Sequence, residues 1–551
     1  METNQLENRP VDRRDAILAM AHLIFAFIAL LIGGLAGLLQ GMVRGGMLTL
    51  PGGIGYYQLL TAHGVLMALI FTTFFIIGFL LSGISKTTGK LLPAARSMGW
   101  VGFVCMTTGT VIGTVMILLN KATVLYTFYA PMKASPWFYI ALALVIVGSW
   151  FSGFAMMYNY RYWKRTHKGK LSPLLAFMAI ITMVMWMVAT IGVAVEVLFQ
   201  LIPWSFGWVD KINVMLSRTL FWFFGHPLVY FWLLPAYICW YVVIPKVIGG
   251  KMFSDALARL SFILFLLFSI PVGFHHQLME PGISDLWKYV QVVLTFMVII
   301  PSLMTAFSMF ATFELTGRAK GAKGLFGWFK VLPWGDVRFF APFAGMLIFI
   351  PAGAGGIINA SNQMNAVVHN TLWVTGHFHL TVASSVALTF FGITYWLVPH
   401  LTGRTLTPAI HKLGIVQTVL WAVGMFFMSG SMHTVGLFGS PRRTAYTTYQ
   451  DHPDAILWMP YHVAMAVGGM ILFIALVIMI YNLIALMRTP RGETEFPIAE
   501  VAEGAEETPR LFERWGVWIS LVVILILIAY AVPVTDMIQN PVPGSKPYVT
   551  W

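Results

Sequence analysis

The chain has 551 residues, of which 58% are hydrophobic and only 10% are charged. A soluble protein has about 25% charged residues, so most of this surface must face lipid. The net charge of +13 does not indicate nucleic acid, because the basic residues lie in short loops between apolar segments. The two cysteines, Cys105 and Cys239, exclude a disulfide framework and a thiolate cluster for zinc or iron–sulfur.

Thirteen apolar segments are long enough to cross a bilayer, which takes about 20 residues. They cover approximately residues 17–42, 56–84, 97–119, 136–160, 174–203, 217–245, 257–274, 286–316, 339–360, 370–400, 411–437, 456–487 and 513–537. We therefore predict an all-α polytopic membrane protein with one transmembrane domain over 1–551 and core helices over about 17–487. The acidic stretch at about 493–510 is predicted to be a surface linker before a peripheral last helix.

Basic residues fall in alternate loops, beginning with Arg9, Arg13 and Arg14 before the first helix. Loops rich in lysine and arginine stay in the cytoplasm. This pattern predicts a cytoplasmic N-terminus, and the odd number of helices then places the C-terminus outside.

Helices 2, 6 and 7 carry histidines near the outer face. His63 and His226 lie a few residues inside helices 2 and 6, and His275 and His276 end helix 7. Pro271 and Gly273 precede the adjacent pair, and such residues bend a helix, so both imidazoles could turn toward one metal.

Hydroxyl groups follow helix 6 inward from His226. Tyr230 lies at i+4 from this histidine, where its phenol can approach whatever the imidazole binds. Tyr237 and Tyr241 continue the same stripe toward the cytoplasm. Helix 8 offers a second stripe, made of Ser302, Thr305 and Ser308. Membrane hydroxyls often bond only their own backbone, but two facing stripes leading to a metal predict a proton path.

Helix 10 carries His377 and His379, which point about 200° apart around the helix axis and so can serve different metals on its opposite sides. With a 1.5 Å rise per residue, all six histidines fall within about 15 Å of the outer face. A buried histidine bonded to a neighbour is a fair alternative for one of them, but a poor one for six at one depth. Clustered imidazoles without carboxylates favour haem iron and copper.

Four motifs together carry a resemblance to a known family. They are Thr61-Ala-His63-Gly-Val-Leu, Gly225-His226-Pro-Leu-Val-Tyr230, Val272-Gly-Phe-His275-His276-Gln and Trp373-Val-Thr-Gly-His377-Phe-His379. From about residue 17 to about 540 the chain resembles subunit I of the haem–copper oxygen reductases, in particular the B-type, ba3-type cytochrome c oxidases.

The resemblance implies specific ligands. His63 and His379 would be the axial ligands of a low-spin haem, expected to be haem b, and His377 the proximal ligand of a high-spin haem, expected to be a-type. His226, His275 and His276 would hold CuB, with Tyr230 joined covalently to His226, and Tyr230 and His226 would be the catalytic residues. The residues expected beside the haem propionates are Arg442, Arg443, His369 and Asn370.

Two positions depart from related patterns. Asn365 stands where a carboxylate is expected in a close relative, which puts the proton-accepting group above the haems in doubt. Leu228 stands where A-type oxidases often have glutamate. The resemblance therefore implies a single hydroxyl-lined channel, formed by the tyrosine, serine and threonine stripes of helices 6 and 8.

The implied function is that of a terminal respiratory oxidase, which reduces O2 to water with coupled proton uptake and proton pumping. The expected location is the plasma membrane of a bacterium or archaeon, among lipid. The expected partners are a subunit II that carries CuA, since this chain lacks a cysteine pair for it, and a small single-helix subunit. Cytochrome c or quinol would donate electrons, and nucleic acid is not expected as a partner.

Three alternatives stay open at this point. A nitric oxide reductase on the same frame would lack the active-site tyrosine and carry extra carboxylates near the non-haem metal, whereas Tyr230 is present and Glu280 is the only obvious nearby acid. A quinol oxidase differs only in its donor. A transporter would more typically show broken helices and repeats around a midplane site.

Overall fold

The computed structural model describes residues 11–445, 449 and 451–549. Arg9, part of the predicted basic N-terminus, lies outside this range. Within it the chain is helical, and β-pairing is limited to isolated bridges between loops.

Thirteen helices of the described chain are long and apolar enough to cross a membrane, which confirms the predicted all-α polytopic architecture. We number them α1 Arg13–Arg44, α2 Tyr56–Thr88, α3 Pro93–Leu118, α4 Pro136–Thr166, α5 Leu174–Phe206, α6 Val214–Val247, α7 Asp255–Gln277, α8 Asp285–Ala319, α9 Val337–Ala360, α10 Leu372–Thr402, α11 Pro408–Leu437, α12 Pro453–Leu486 and α13 Trp515–Gln539. A short helix, Asn362–Val368, precedes α10.

The histidines lie on the inner helices of the bundle. Among the thirteen, α2, α6, α7 and α10 have the largest buried share of their apolar windows, and these four carry all six histidines. Polar groups away from water must find internal partners. The arrangement therefore keeps the imidazoles away from lipid.

Local irregularities occur next to the site. The π-helical turns Val65–Phe71 in α2 and Thr381–Val386 in α10 begin two residues after His63 and His379. Such turns change the direction in which the neighbouring side chains point, and they are frequent at functional sites. In α7 the regular helix Asp255–Ser269 ends before Pro271, and a 3₁₀ turn, Phe274–Gln277, carries His275 and His276.

The acidic stretch after α12 is attached more closely than its composition suggests. Its glutamates are largely exposed, but Phe496 is fully buried, and residues 497–499 are buried beside it. The amide N–H of Ala499 donates to the carbonyl of Val242 over 2.8 Å. A surface segment thus holds the C-terminal end of α6, while α13 lies at the edge of the bundle against α6, α7 and α8.

Candidate functional site

A single cavity of about 700 Å³ joins the predicted ligands. All six histidines line it, together with Tyr230, Ser302, Arg442 and Arg443. Its walls come from α1, α2, α6 to α12 and the loop after α11. Residues far apart in the sequence thus share one largely apolar chamber.

His63 and His379 face each other across this chamber. Their ring planes are 12° apart and the ring centroids 6.1 Å apart. A metal bonded to one nitrogen of each ring at about 2 Å would separate the centroids by about 6 Å. The pair therefore has the spacing that would let both histidines bind one metal.

The outer nitrogens of this pair are held by backbone. His63 Nδ1 lies 2.9 Å from the carbonyl oxygen of Gly33, and His379 Nδ1 lies 2.8 Å from that of Thr375. A carbonyl accepts only from a protonated nitrogen, so Nε2 of each ring is the unprotonated, metal-binding atom. At Gly37 of α1 a Cβ atom would collide with the His63 ring, so this close approach requires glycine.

His226, His275 and His276 form a second group. One ring nitrogen from each lies within 4.8 Å of the other two, and the cluster contains no carboxylate among the described residues. His226 Nδ1 and His276 Nε2 are 3.3 Å apart. Three neutral imidazoles at this spacing suit copper or zinc better than a hard cation.

Thr295 of α8 orients His275. Its hydroxyl oxygen lies 3.1 Å from His275 Nδ1 and donates its own hydrogen to the carbonyl of Gln291 over 2.7 Å. The oxygen therefore accepts the Nδ1 hydrogen, which leaves Nε2 of His275 for a metal. Thr295 was not predicted as a site residue from the sequence. It precedes Ser302 by about two helical turns on the same face of α8, which is the signal that could have found it.

His377 points to another part of the cavity than His379. It packs against α9, where a Cβ atom at Gly355 would lie 2.6 Å from its Nδ1. Trp373 lies one turn earlier, with its ring 6.0 Å from that of His377 at 13°. Helix α10 thus presents one imidazole toward α9 and the other toward His63 on α2.

Tyr230 lies beside the three-histidine group. Its ring centroid is 5.0 Å from that of His226, with an interplanar angle of 67°. His226 Nε2 is buried without a hydrogen-bond partner in the part of the chain that the structure describes. The phenol is thus a redox-capable side chain in contact with this cluster, as is Trp222, whose ring stacks 3.8 Å from that of His276.

Two arginines form a basic wall of the cavity. Arg442 donates from Nη2 to Asn370 Oδ1 over 2.9 Å, while Arg443 stacks 5.0 Å over the Tyr129 ring. Arg442 Nε and Arg443 Nη2 are buried without partners among the described residues. Burial, and then the charge of Arg443, lowers the pKa of Arg442 to about 10. Adjacent buried cations with unused donors suit an anionic ligand such as a carboxylate.

His369 lies beside the arginines rather than on the cavity wall. Its Nδ1 is 3.1 Å from Asn365 Oδ1, and its Nε2 is 4.0 Å from a carboxylate oxygen of Glu280, which also pairs with Arg218. Burial, and then the charge of Arg442, lowers the pKa of His369 to about 4. This histidine is therefore neutral at pH 7.

The predicted hydroxyl stripes meet at one point. The Tyr241 hydroxyl lies 3.0 Å from Thr305 Oγ1 of α8 and 3.2 Å from Ser261 Oγ of α7. Ser261 was not predicted, because its contact depends on how α7 packs. The Tyr237 hydroxyl and Ser308 Oγ are buried without partners in the described chain, and Ser302 bonds the carbonyl of Val298.

Comparisons with known proteins agree with this geometry. Residues 17–471 match the family described as cytochrome c and quinol oxidase polypeptide I. The chain is 42% identical to cytochrome c oxidase subunit 1 of Thermus thermophilus in an alignment 548 residues long that covers 95% of each chain.

More distant relatives extend the same pattern. Cytochrome c oxidase subunit 1 of Thermostichus vulcanus is 24% identical over 91% of this chain and 89% of its own. A solved haem–copper terminal oxidase, described as a dimer, superposes with a TM-score of 0.93 at 36% identity, covering 98% of this chain and 96% of that one.

Proposed function

This chain belongs to the cytochrome c and quinol oxidase polypeptide I family and is the catalytic subunit of a haem–copper terminal oxidase, and on that basis we propose how its residues divide the reaction. The observation that carries the proposal is the cavity in which a parallel histidine pair and a three-histidine cluster face the same space. When bound there, two haems and a copper ion supply the electron-transfer and oxygen-reducing chemistry.

In this proposal each histidine binds one metal. His63 and His379 hold the low-spin haem, which we expect to be haem b, and His377 holds the high-spin haem, which we expect to be a-type. His226, His275 and His276 hold CuB. The free Nε2 of the first pair and the 4.8 Å spacing of the cluster support these assignments.

Tyr230 and His226 act at the oxygen-reducing centre. Tyr230 can give up a proton and an electron together, and its 5.0 Å approach to the His226 ring places it next to the reacting space. We also propose a covalent bond between the two rings: its formation removes one aromatic hydrogen of Tyr230 and the ring N–H hydrogen of His226, and oxygen takes up the two electrons and two protons. The phenol lets oxygen be reduced without the release of partly reduced products.

Protons reach this centre from the cytoplasmic side. Tyr241, Thr305 and Ser261 form a buried hydroxyl cluster, and we place Tyr237, Ser302 and Ser308 on the same route with intervening water. Arg442 and Arg443 hold haem propionates, because both residues line the cavity and each has a buried donor without a partner among the described residues. We place His369 and Asn370 beside the propionates as well: Asn370 accepts a hydrogen bond from Arg442, and His369 bonds Asn365.

The chain is a multi-pass membrane protein, and we propose a bacterial or archaeal plasma membrane with the N-terminus in the cytoplasm. Electrons come from cytochrome c, as the names of the relatives suggest. We propose that they pass through a subunit II that carries a CuA centre. A small single-helix subunit and the surrounding membrane lipid complete the proposed assembly, and part of the proton uptake is coupled to pumping.

Two rival reactions on this frame make different predictions. In a nitric oxide reductase an acid would stand near the non-haem metal, but Glu280 pairs with Arg218 and lies outside the three-histidine cluster. A quinol oxidase stays possible because the family includes both donors. The test is oxygen consumption by the purified complex with reduced cytochrome c and with quinol. Oxygen uptake with quinol alone would reject cytochrome c as the donor, and absence of haem from the protein would reject the whole assignment.

A further inference from the structure

The histidine pair of α7 stands on a break in the helix. The regular helix ends at Ser269, and the 3₁₀ turn that carries His275 and His276 begins at Phe274. Pro271 has no N–H and cannot continue the helix. The break lets two adjacent imidazoles turn toward one point, but it leaves the N–H groups at the start of the turn without helical partners. These residues are buried, so an unpaired N–H there would be costly.

The side chain of Gln291 on α8 supplies the missing acceptor. Its Oε1 accepts from the backbone N–H of Gly273 and from that of Phe274, both over 2.8 Å. Its Nε2 donates to the carbonyl of Ala529 on α13 over 3.1 Å. Gln291 is fully buried. One amide therefore joins the turn to two other helices.

The fit around Gly273 leaves little room for the turn to move. A Cβ atom there would lie 2.5 Å from the Tyr530 hydroxyl of α13 and 2.8 Å from the carbonyl oxygen of Trp222 on α6. The turn is thus pressed between α6 and α13 while Gln291 holds its N–H groups. This contact gives α13, which lies at the edge of the bundle, a connection to the centre of the site.

The same face of α8 also contacts the imidazole. Thr295 follows Gln291 by one helical turn, and it accepts from His275 Nδ1 and donates to the Gln291 carbonyl. Gln291 therefore holds the backbone just before the His275–His276 pair, and Thr295 holds the ring of His275. A hydrogen-bond partner behind a metal ligand commonly changes metal affinity 10- to 100-fold.

We propose that Gln291 is a positioning residue for the metal held by His226, His275 and His276: it ties the turn at Gly273 and Phe274 to α8 and α13. The inference rests on the proposed function, since it assigns copper to this cluster. Gln291 acts without touching the metal. Through Gln291, α13 helps to hold the His275–His276 pair.

The test compares Gln291→Leu with Gln291→Glu in the whole purified complex. Leucine removes both acceptor contacts, whereas a protonated glutamic acid keeps the acceptor and can still donate to Ala529. Gln417→Leu is the matched control, because Gln417 is equally buried, on α11, and lies outside the cavity lining. Three readouts are taken: copper affinity by chelator competition, the infrared band of copper-bound carbon monoxide after photolysis, and backbone hydrogen exchange over residues 271–278.

For Gln291→Leu we expect an apparent copper dissociation constant about 10- to 100-fold higher, a shifted infrared band, unchanged haem content and faster exchange in the turn. Gln291→Glu and Gln417→Leu should stay close to the unchanged protein. Equal copper affinity and equal exchange in Gln291→Leu and Gln417→Leu would overturn the inference. If the Gln291→Leu variant does not assemble, the Gln291→Glu variant decides. Copper affinity in Gln291→Glu that is as low as the value expected for Gln291→Leu would overturn the inference. Copper affinity equal to that of the unchanged protein would support it.

The failure of the proposed function would look different. Absence of copper from the unchanged protein would contradict the assignment of CuB. The exchange comparison would still decide whether Gln291 holds the turn when the unchanged protein and Gln291→Leu are both measured without copper, because the metal then contributes to neither.

Discussion

His63 on α2 and His379 on α10 hold their imidazole rings 12° from parallel with centroids 6.1 Å apart, and each ring bonds a backbone carbonyl through Nδ1. The residues are more than three hundred positions apart in the chain. Their alignment is therefore a product of helix packing, with α1 pressed against His63 at Gly37. The hydrogen bond at Nδ1 fixes the orientation of each ring. Nε2 of each ring is therefore free to bind a metal held between the two rings.

Replacing His63 should remove the low-spin haem. For His63→Ala we expect loss of that haem's absorbance in reduced-minus-oxidised spectra, retention of the second haem, and abolished oxygen consumption, because the electron route is cut. His22→Gln is the control, since His22 is fully buried on the neighbouring helix α1 but outside the cavity lining. An unchanged spectrum in His63→Ala would remove this residue from the ligand set.

Replacing the hydroxyl of Thr295 should weaken the metal held by the three-histidine cluster. Thr295→Val keeps the shape but leaves His275 Nδ1 without its acceptor, so we expect a copper affinity about tenfold lower by chelator competition. Thr295→Ser retains the hydroxyl and should bind copper normally. Equal affinities in the valine and serine variants would mean that this hydrogen bond does not orient the ligand.

Removing the phenol hydroxyl of Tyr230 should abolish oxygen reduction without loss of the haems or copper. In Tyr230→Phe we expect both haems and copper at normal stoichiometry and oxygen reduction abolished, because the ring remains but its proton and electron source is gone. Tyr395→Phe is the control, since that buried tyrosine bonds only Asn482 among the described residues. Turnover preserved in Tyr230→Phe would exclude the phenol from the reaction.

Breaking the hydroxyl cluster at Tyr241 should slow proton delivery. Tyr241→Phe loses the contacts to Thr305 and Ser261, and we expect steady-state oxygen consumption to fall by about 100-fold while haem reduction by the donor proceeds. Thr418→Val serves as control, because this buried threonine of α11 bonds only the carbonyl of Gly414. Normal turnover in Tyr241→Phe would show that protons enter by another route.

The depressed pKa of His369 predicts an acid-dependent loss of stability. Its pKa is about 4 in the folded chain against 6.5 without the fold, so between these values the unfolded state binds the extra proton. Its contribution to stability is present above pH 6.5 and falls as the pH drops toward 4. We expect His369→Gln to show a flatter decline of the unfolding midpoint over this window.

The measurement is thermal unfolding of the purified protein in detergent at several pH values between 7 and 4. Substituting the exposed His452, whose side chain is 63% accessible, provides the control and should leave the decline unchanged. Parallel curves for the unchanged protein and His369→Gln would contradict the burial of a neutral imidazole at this position.

Some features of this chain follow from local chemistry. The thirteen helices were predictable because crossing hydrocarbon requires about 20 consecutive apolar residues whatever the rest of the protein does. The opposed directions of His377 and His379 follow from helical geometry alone. The six histidines stood out because imidazoles are rare and costly within a membrane.

Other features depend on which helix faces meet. Thr295, Gln291 and Ser261 look in the sequence like ordinary polar residues of membrane helices, and each contacts a functional group only because α8 or α7 is turned toward it. The acidic stretch shows the same limit, since its glutamates predict a surface linker but the burial of Phe496 depends on the helices beneath it.

The sequence by itself determined the class of protein, the number of membrane helices and the histidines that we propose as metal ligands, because hydrophobicity and ligand chemistry are properties of single residues and short spacings. Only the tertiary structure decided which nitrogen of His63, His275 and His379 is free for a metal, and that α8 and α13 support the His275–His276 turn. The reason is that a hydrogen bond extends over about 3 Å, so its partners are set by the packing of helices rather than by their order in the chain.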